Sequence, residues 1–520
     1  MPTAAWLRRA LAVLVLLQLA ACAGLPSRAP VTPSQALAAP QGTPLRSIAE
    51  ASRPASTAAQ DSGFRLLHDA GHAFDARIAL ADNASVSLDV QYYVLDNDEV
   101  GGHFLHALRD AAARGVRVRL LIDDLHAGPN IELLCAMAAQ PGIEVRLFNP
   151  LPARSGGVAS RLVRSLHEFG RINHRMHNKL LVADGVLSVS GGRNIAAEYF
   201  MRASATNFID MDVLAAGPVV GQQAAAFDAY WNSPYAYPVQ QLAILGGGTE
   251  PQPRKPHYND VDTVPAAQDI FGQTSLTQQL QAGALALTWA PVRLFADDPD
   301  KISRPDFDSR FAGSVSQSVL AAIRAARTRV FISSPYFVPG EPGMEVMRDA
   351  AARGVLTTVV TNSLGATDEP LVYARYARYR GQMLDLGIMV YEMSPTLSQR
   401  AGTLGRFGQT TGRLHSKLAV IDGQRVYVGS MNLDGRSASL NTEAGLLIES
   451  TQLAGQFKFL LDTDRFRSAY LVRRGADGGT EWVEQAEDGL QTSHLEEPDG
   501  DWMVALRTWL ASLFVQEEWL

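Results

Sequence analysis

Hydrophobic positions along this chain fall into short strand-like runs separated by stretches of helical period. Apolar, β-rich runs start at Ser85 (SVSLDVQYYVL) and Thr328 (TRVFISSPYFV), and each leads into a helical stretch carrying RDAAARGV. In both places a second strand follows (VRVRLLIDD from Val116, VLTTVVTNS from Val355), then another helix and another strand (IEVRLFNP, IMVYEMSP). Last comes a nearly all-apolar run closed by Asp-Gly, KLLVADG in one place and KLAVIDG in the other. Strands alternating with helices predict βαβ units, hence an α/β chain with mixed or parallel sheets covered by helices. The runs ending in Asp-Gly read as buried central strands, with VLSVSGG and RVYVGS as the return strands.

This order is a duplication. RDAAARGV occurs letter for letter at 109–116 and at 348–355, and the spacing H-x-K-x4-D occurs at His177 and again at His415, at almost the same offset. Two matches at nearly one offset identify a repeated domain. The expected organisation is a first half over 62–242 with its motif at 174–200, a Pro/Gly/Gln-rich linker over 243–273, and a second half over 274–450 with its motif at 409–436. Beyond the repeat, 451–520 is a C-terminal extension ending in DWMVALRTWLASLFVQEEWL. That segment reads as an apolar, Trp-rich helix packed on the body, with a membrane-surface role as the alternative.

Composition refines this picture at the termini. MPTAAWLRRALAVLVLLQLAACAG places Arg8 and Arg9 ahead of an apolar run ending in Leu19-Ala20-Ala21-Cys22, the layout of a signal peptide over 1–21. Residues 22–61 are rich in Pro, Ala, Ser and Thr and predict a flexible tether. A length of 520 residues with 47% hydrophobic and 19% charged residues supports two buried cores. The net charge of -7 argues against a protein that coats nucleic acid. Of the two cysteines, Cys135 in ELLCAMAA reads as a small buried apolar residue.

Candidate chemistry sits in the repeated motif. Each copy supplies His, Lys and Asp (His177, Lys179, Asp184; His415, Lys417, Asp422) and, ten residues past the Asp, an asparagine after small residues, Asn194 in GGRN and Asn432 in GSMN. Only five lysines occur in the chain, and two of them are here. A compact cation, an amide donor and close backbone approach at glycine together suit the oxygens of a phosphoryl group. Two copies would surround one phosphate, leaving one histidine to attack phosphorus and its twin to protonate the leaving oxygen. A carboxylate on the far ring nitrogen would fix each tautomer; Asp212 and Glu443 are the candidates, with Asp210 able to replace Asp212.

These residues, with the small-residue turns around them, resemble the paired HKD motifs of the phospholipase D superfamily over about 61–450. The resemblance implies two duplicated phospholipase D-like α/β/α sandwich halves sharing a central active site, no metal, no cofactor and a phosphohistidine intermediate. It implies His177 as nucleophile, His415 as acid and then base, Lys179, Lys417, Asn194 and Asn432 as phosphate ligands, and Asp184 and Asp422 as motif residues that support local structure more than they touch substrate. NHRMHNK, TNSLGATDEP and RYARYRGQMLDLGIMVYE are similar to bacterial cardiolipin synthases of a third, lipoprotein-like type. Leu-Ala-Ala-Cys resembles a lipobox, which makes Cys22 the acylated first residue of an envelope protein facing the periplasm, anchored in the outer membrane. The implied partners are membrane phospholipids (phosphatidylglycerol, phosphatidylethanolamine or cardiolipin) and a membrane surface, with no nucleic acid, for a monomer of pseudo-twofold halves. The implied reaction is phosphatidyl transfer, with hydrolysis by water or a nuclease activity as alternatives.

Other residues carry weaker readings. His174 reads as a neighbour that shapes the pocket, His103 and His106 as a solvated helix face lacking a third metal ligand, and Asp123 and Asp124 as loop caps at a strand end. Tyr92, Tyr93, Tyr336 and Phe337 close the first strand of each half and serve equally as pocket wall or core.

Overall fold

A computed structural model describes residues 25, 27–245, 265–400, 410–485, 490–500 and 517–519. The expected signal peptide, Cys22, most of the expected linker and most of the Trp-rich C-terminal segment lie outside the described residues.

Each half is built on one mixed sheet. The first runs, in spatial order, Thr288–Ala290, Ser62–Leu67, Asp212–Ala216, Leu187–Gly191, Leu180–Ala183, Ser87–Tyr92, Arg117–Asp123, Ile143–Phe148 and Ala236–Pro238. The second runs Val292–Ala296, Ala444–Glu449, Arg425–Gly429, Leu418–Ile421, Arg329–Ser333, Leu356–Asn362, Met389–Met393, Ala469–Arg474, Thr480–Gln485 and Gln491–His494. In each sheet the three successive βαβ strands pair in parallel and the rest are antiparallel.

The repeated letters have local physical jobs. RDAAARGV ends the helices Glu99–Ala113 and Gly340–Ala352; Gly115 (φ 95°) and Gly354 (φ 74°) take the left-handed turn that stops the helix and starts the next strand. Asp184-Gly185 and Asp422-Gly423 take positive φ of 55° and 66° in both copies and open the three-residue hairpin turns that return each motif strand.

Three apolar layers result. An outer layer packs helices Ala70–Asn83, Glu99–Ala113 and Ile131–Ala138 on the first sheet, and a second outer layer packs Val315–Arg324, Gly340–Ala352 and Pro370–Asp385 on the second. Between the sheets lies a core drawn from both halves, with Phe64, Val213, Phe227 and Trp231 from one and Phe331, Val428, Ile448 and Phe457 from the other. The helices Pro218–Asn232 and Thr451–Ser468 fill this middle layer. Among the described residues no helix is long and apolar enough to cross a membrane.

Three expected boundaries change. The stretch expected to be a tether is bound to the first half from residue 27 onward. Arg28 donates to the carbonyls of Ser233 and Ala236 at 2.7 and 3.0 Å, the Ala39 amide donates to the Asp184 carbonyl at 3.0 Å, and the helix Pro44–Ala51 buries Leu45 and Ala49. Its Pro/Ser/Ala composition suits an extended chain whose amides are satisfied by the body, as when Asn232 and Asp228 accept from the Ser34 and Ala36 amides. Residues 274–290 belong to the first half, because Thr288–Ala290 pairs with Ser62–Leu67. The C-terminal extension continues the second sheet through Ala469–Arg474 on Met389–Met393.

Candidate active site

The halves meet along the motif loops, and each lends the other a carboxylate. Thr206–Ile209 pairs in parallel with Thr411–Leu414 in a two-stranded sheet that crosses between halves, and Met176 bridges Thr442 in the same sense. The His415 amide donates to the Ile209 carbonyl at 2.8 Å, and the His177 amide donates to the Thr442 carbonyl at 2.9 Å. In each case the next residue is the partner carboxylate. Asp210 Oδ2 lies 2.6 Å from His415 Nδ1, and the Glu443 oxygens lie 3.0 and 3.1 Å from His177 Nδ1. A carboxylate on Nδ1 fixes the proton there and turns Nε2 into the reactive atom.

The expected role of Asp212 in orienting a histidine is therefore corrected in favour of Asp210. Asp212 already belongs to the first half's own sheet, paired with Gly191 and Leu67, and its buried carboxylate is held by Arg77 at 2.9 Å and Arg193 at 3.2 Å. Asp210 sits two residues earlier, where the chain still runs along the other half. Gly192 makes room for it: a Cβ there would lie 2.1 Å from Asp210 Oδ1. In the second copy Ser430 replaces that glycine, and its hydroxyl donates to the longer Glu443.

The motif aspartates are also placed. Asp184, fully buried, accepts from the amides of Ser85, Val86 and Ser87 and from the Ser85 hydroxyl; Asp422 accepts from the amides of Arg327, Thr328 and Arg329 and from the Thr328 hydroxyl. Both hold the start of the neighbouring strand, so their carboxylates are engaged structurally and are not free for catalysis.

Burial and charge shape the basicity of the site. His177 lies well below the ordinary imidazole value, first through burial and then through Lys179, Lys417 and His415. His415 is pushed down to about 4, by burial first and then by Lys417, against the pull of Asp210. Burial pushes Lys417 down to about 8 and holds Lys179 well below its usual range. Burial would raise Asp210, but His415, Lys417 and Arg193 outweigh it and keep the carboxylate below its ordinary value. Glu443 is pushed up to about 7 by burial, with Lys179 and two serine hydroxyls pulling the other way. Groups from both halves thus act on one another within one chamber.

Each lysine folds back on its histidine. Lys179 Nζ donates to the His177 carbonyl at 2.6 Å; Lys417 Nζ lies over the His415 ring, 2.9 and 3.0 Å from its nitrogens. Asn194 accepts from the Val94 amide and donates to the Tyr199 hydroxyl at 2.9 Å. Among the described residues, the buried Asn432 Oδ1 has no hydrogen-bond partner, and it borders an apolar cavity of about 260 Å³ walled by Phe307, Phe311, Val338 and Met431. Tyr93 sets its ring edge-on to His177 at 5.0 Å, as Tyr199 does to His415. Of the four aromatic residues left open by the sequence, Tyr93 is a wall of the site, while Tyr92 is core and bonded to Arg77.

The weaker readings resolve as well. Asp123 accepts from Arg175 at 3.0 Å and the Met176 amide at 2.8 Å, steadying the His177 loop, while Asp124 pairs with Arg154 and Arg161. His174 Nδ1 meets the Leu440 carbonyl at 3.1 Å.

Several residues behind the site were not legible in the motif. Ser437 donates to Glu443 Oε1 at 2.8 Å, and Asp297 exchanges backbone bonds with Glu443, its amide donating to the Glu443 carbonyl and its carboxylate accepting from the Glu443 amide, both at 2.9 Å. The buried Lys301 spans Asp297 at 2.8 Å and the Ser437 carbonyl at 3.0 Å. Arg436 of the second half grips Asn173 of the first at 2.9 Å. Lys301 is one of only five lysines, a signal the sequence does offer; Arg436 follows Asn432 by four residues but has no counterpart in the first copy.

The family described as "Cardiolipin synthase, PLD-like domain" matches twice, over 78–231 and 319–464. The chain belongs to the phospholipase D-like family. It is 37% identical over 422 residues to "Cardiolipin synthase C" of Escherichia coli K12, covering 79% of this chain and 87% of that protein. A "Cardiolipin synthase" of Staphylococcus aureus is 23% identical over 81% of this chain and 71% of its own length. The solved structure of a phosphatidylserine synthase from Haemophilus influenzae superposes with a TM-score of 0.55 at 14% identity, covering 88% of this chain and 95% of that one, which speaks for the shared fold. Two phospholipase D-like catalytic domains make this phospholipase D-like protein an enzyme of the phosphatidyltransferase type, one that transfers or hydrolyses phosphatidyl groups of phospholipids.

Proposed function

We propose that the enzyme makes cardiolipin, moving a phosphatidyl group from one phospholipid to a hydroxyl of a second through a phosphohistidine on His177. What carries the reading is the pair of reciprocal dyads, His177 with Glu443 and His415 with Asp210, in a chain that is 37% identical over 422 residues to a cardiolipin synthase. His177 Nε2 gives its lone pair to phosphorus, the bond from phosphorus to the leaving alcohol breaks, and His415 hands its proton to that oxygen. The acceptor hydroxyl then returns a proton to His415 and attacks phosphorus, and the phosphorus–nitrogen bond breaks. His415 suits the acid and base role because Asp210, held as a carboxylate, supports the imidazolium, and the bound phosphodiester anion adds negative charge beside it. Lys179, Lys417, Asn194 and Asn432 are assigned to the phosphate oxygens, Asp210 and Glu443 to orienting the rings.

We assign the chain to the lipoprotein-like type of the family, acylated at Cys22 and held in the envelope at the outer membrane. Because the body is engaged from Arg28 onward, the anchor would hold the enzyme close to the bilayer. Purified enzyme with phosphatidylglycerol vesicles should yield cardiolipin. Phosphatidic acid alone would make water the acceptor, and nicked plasmid DNA without lipid product would overturn the lipid assignment. With an activated 4-nitrophenyl phosphodiester, His415→Ala should release one equivalent of nitrophenol and leave the phosphoryl group on His177. An adduct on His415 in His177→Ala would reverse the two roles.

A further inference from the structure

The chain leading into the first motif carries an apolar ridge that stays exposed among the described residues. Val158–Arg164, Leu166–Glu168 and Phe169–Ile172 follow one another as short helical segments, and a spacing of three places Val163, Leu166 and Phe169 on one side. Their exposures are 66%, 55% and 38%, and Trp519, 38% exposed, sets its ring edge-on to Phe169 at 5.4 Å. The opposite side is firmly docked: Arg161 is fully buried on Asp124, and Ser165 and Ile172 are buried too. Single exposed apolar residues are ordinary; three in register joined by a tryptophan form a patch.

We propose that Val163, Leu166, Phe169 and Trp519 form a membrane-docking surface that seats the mouth of the active site on an anionic phospholipid bilayer. The proposal rests on the phospholipid reading above. Charge selects the bilayer: Arg154, Arg161 and Arg175 are buried on Asp124 and Asp123 and Arg171 is paired with Glu168, so the charge presented beside the ridge is that of the exposed Arg164, with His167 next to it, in a chain of net charge -7. An apolar face of Leu, Phe and Trp flanked by arginine is the chemistry of a helix lying in the headgroup layer. Position agrees. The Trp519 carbonyl accepts from Arg436, which grips Asn173, four residues from His177. Arg28, the described residue nearest Cys22 with a side-chain bond to the body, lies on this side as well. Arg28 binds the Ser233 and Ala236 carbonyls, the Tyr235 carbonyl between them accepts from the Asn149 amide, and Arg171, two residues past Phe169, donates to the Asn149 side chain. Cys22 is six residues before Arg28, a reach of about 20 Å at most.

The test uses the full chain with Cys22→Ser, so that acylation cannot by itself hold it on vesicles. In co-sedimentation with phosphatidylglycerol vesicles, Val163→Asp/Leu166→Asp/Phe169→Asp should bind about a hundredfold more weakly and turn over vesicle lipid correspondingly less. Its rate on a soluble phosphodiester such as bis(4-nitrophenyl) phosphate should stay at the wild-type level. Leu356→Asp, at an equally exposed leucine of the second half, should behave as wild type. A second measurement does not depend on how the triple variant folds. Leu166→Cys carrying an environment-sensitive dye should shift to the blue on phosphatidylglycerol vesicles, less so on phosphatidylcholine, and Leu356→Cys should not shift. Wild-type vesicle binding by the triple variant, or no shift at Leu166, overturns the docking surface. A shift in labelled Leu166→Cys, together with a wild-type enzyme that converts no phospholipid, would uphold the surface and sink the lipid function.

Discussion

Lys417 shows how a single buried charge sets the working range of the site. Burial in a chamber shared with Lys179 and two histidines brings its ammonium down to about 8, against an ordinary lysine value of 10.5. The sign follows directly. Below that value the lysine is charged and can hold a phosphate oxygen; above it the proton leaves and the attraction goes. The expected outcome is a kcat/KM that falls tenfold per unit as pH rises beyond about 8, a limb that reports the free enzyme. Lys417→Arg should lower the rate but erase that limb, since a guanidinium stays charged. A wild-type profile flat to pH 10 would show that the ammonium is not the group being lost. His177, Lys179, His415 and Lys417 were readable as residues because chemistry demands those types at that spacing twice over. Their shifted basicities were not, because a shift is set by which groups from the other half close over them.

At the scale of elements, the choice between Asp210 and Asp212 turns on where one strand ends and the next begins. DMD offers two carboxylates of equal type, and no period in the sequence marks the point at which the chain leaves the crossing pair with Thr411–Leu414 and joins its own sheet. The two substitutions should therefore separate cleanly. Asp210→Ala removes the partner of His415 Nδ1 from a chain whose core is untouched, so kcat should fall by roughly two to four orders of magnitude at nearly unchanged stability. Asp212→Ala strands Arg77 and Arg193 in the interior, at a cost of about 3–5 kcal/mol in chemical denaturation, while the fraction that remains folded should retain much of its turnover. The opposite pattern would return the orienting role to Asp212. The same limit explains the misread tether. Pro, Ser and Ala between 27 and 40 read as loose chain because composition records a lack of periodicity, whereas the order there comes from Asn232, Asp228 and Asp184 meeting its backbone.

For the whole molecule, the duplication legible in RDAAARGV and the HKD spacing announces two units, yet the middle core makes them one. Phe64, Val213 and Trp231 share a continuous apolar layer with Val428, Ile448 and Phe457, and each active-site histidine needs a carboxylate from across that layer. Halves joined by a large apolar interface lack the independence expected of separate domains. Calorimetry should accordingly resolve one unfolding transition for the body. Ile448→Ala, fully buried in the second sheet, should cost about 2–5 kcal/mol and loosen both halves together. Hydrogen exchange at the amides of Asp212–Ala216 in the first sheet reads this directly: their protection should drop by the same free energy as that of Ala444–Glu449. If the first sheet kept its protection while the second lost its own, the halves would be separate folding units, and the site between them a docking of two preformed surfaces.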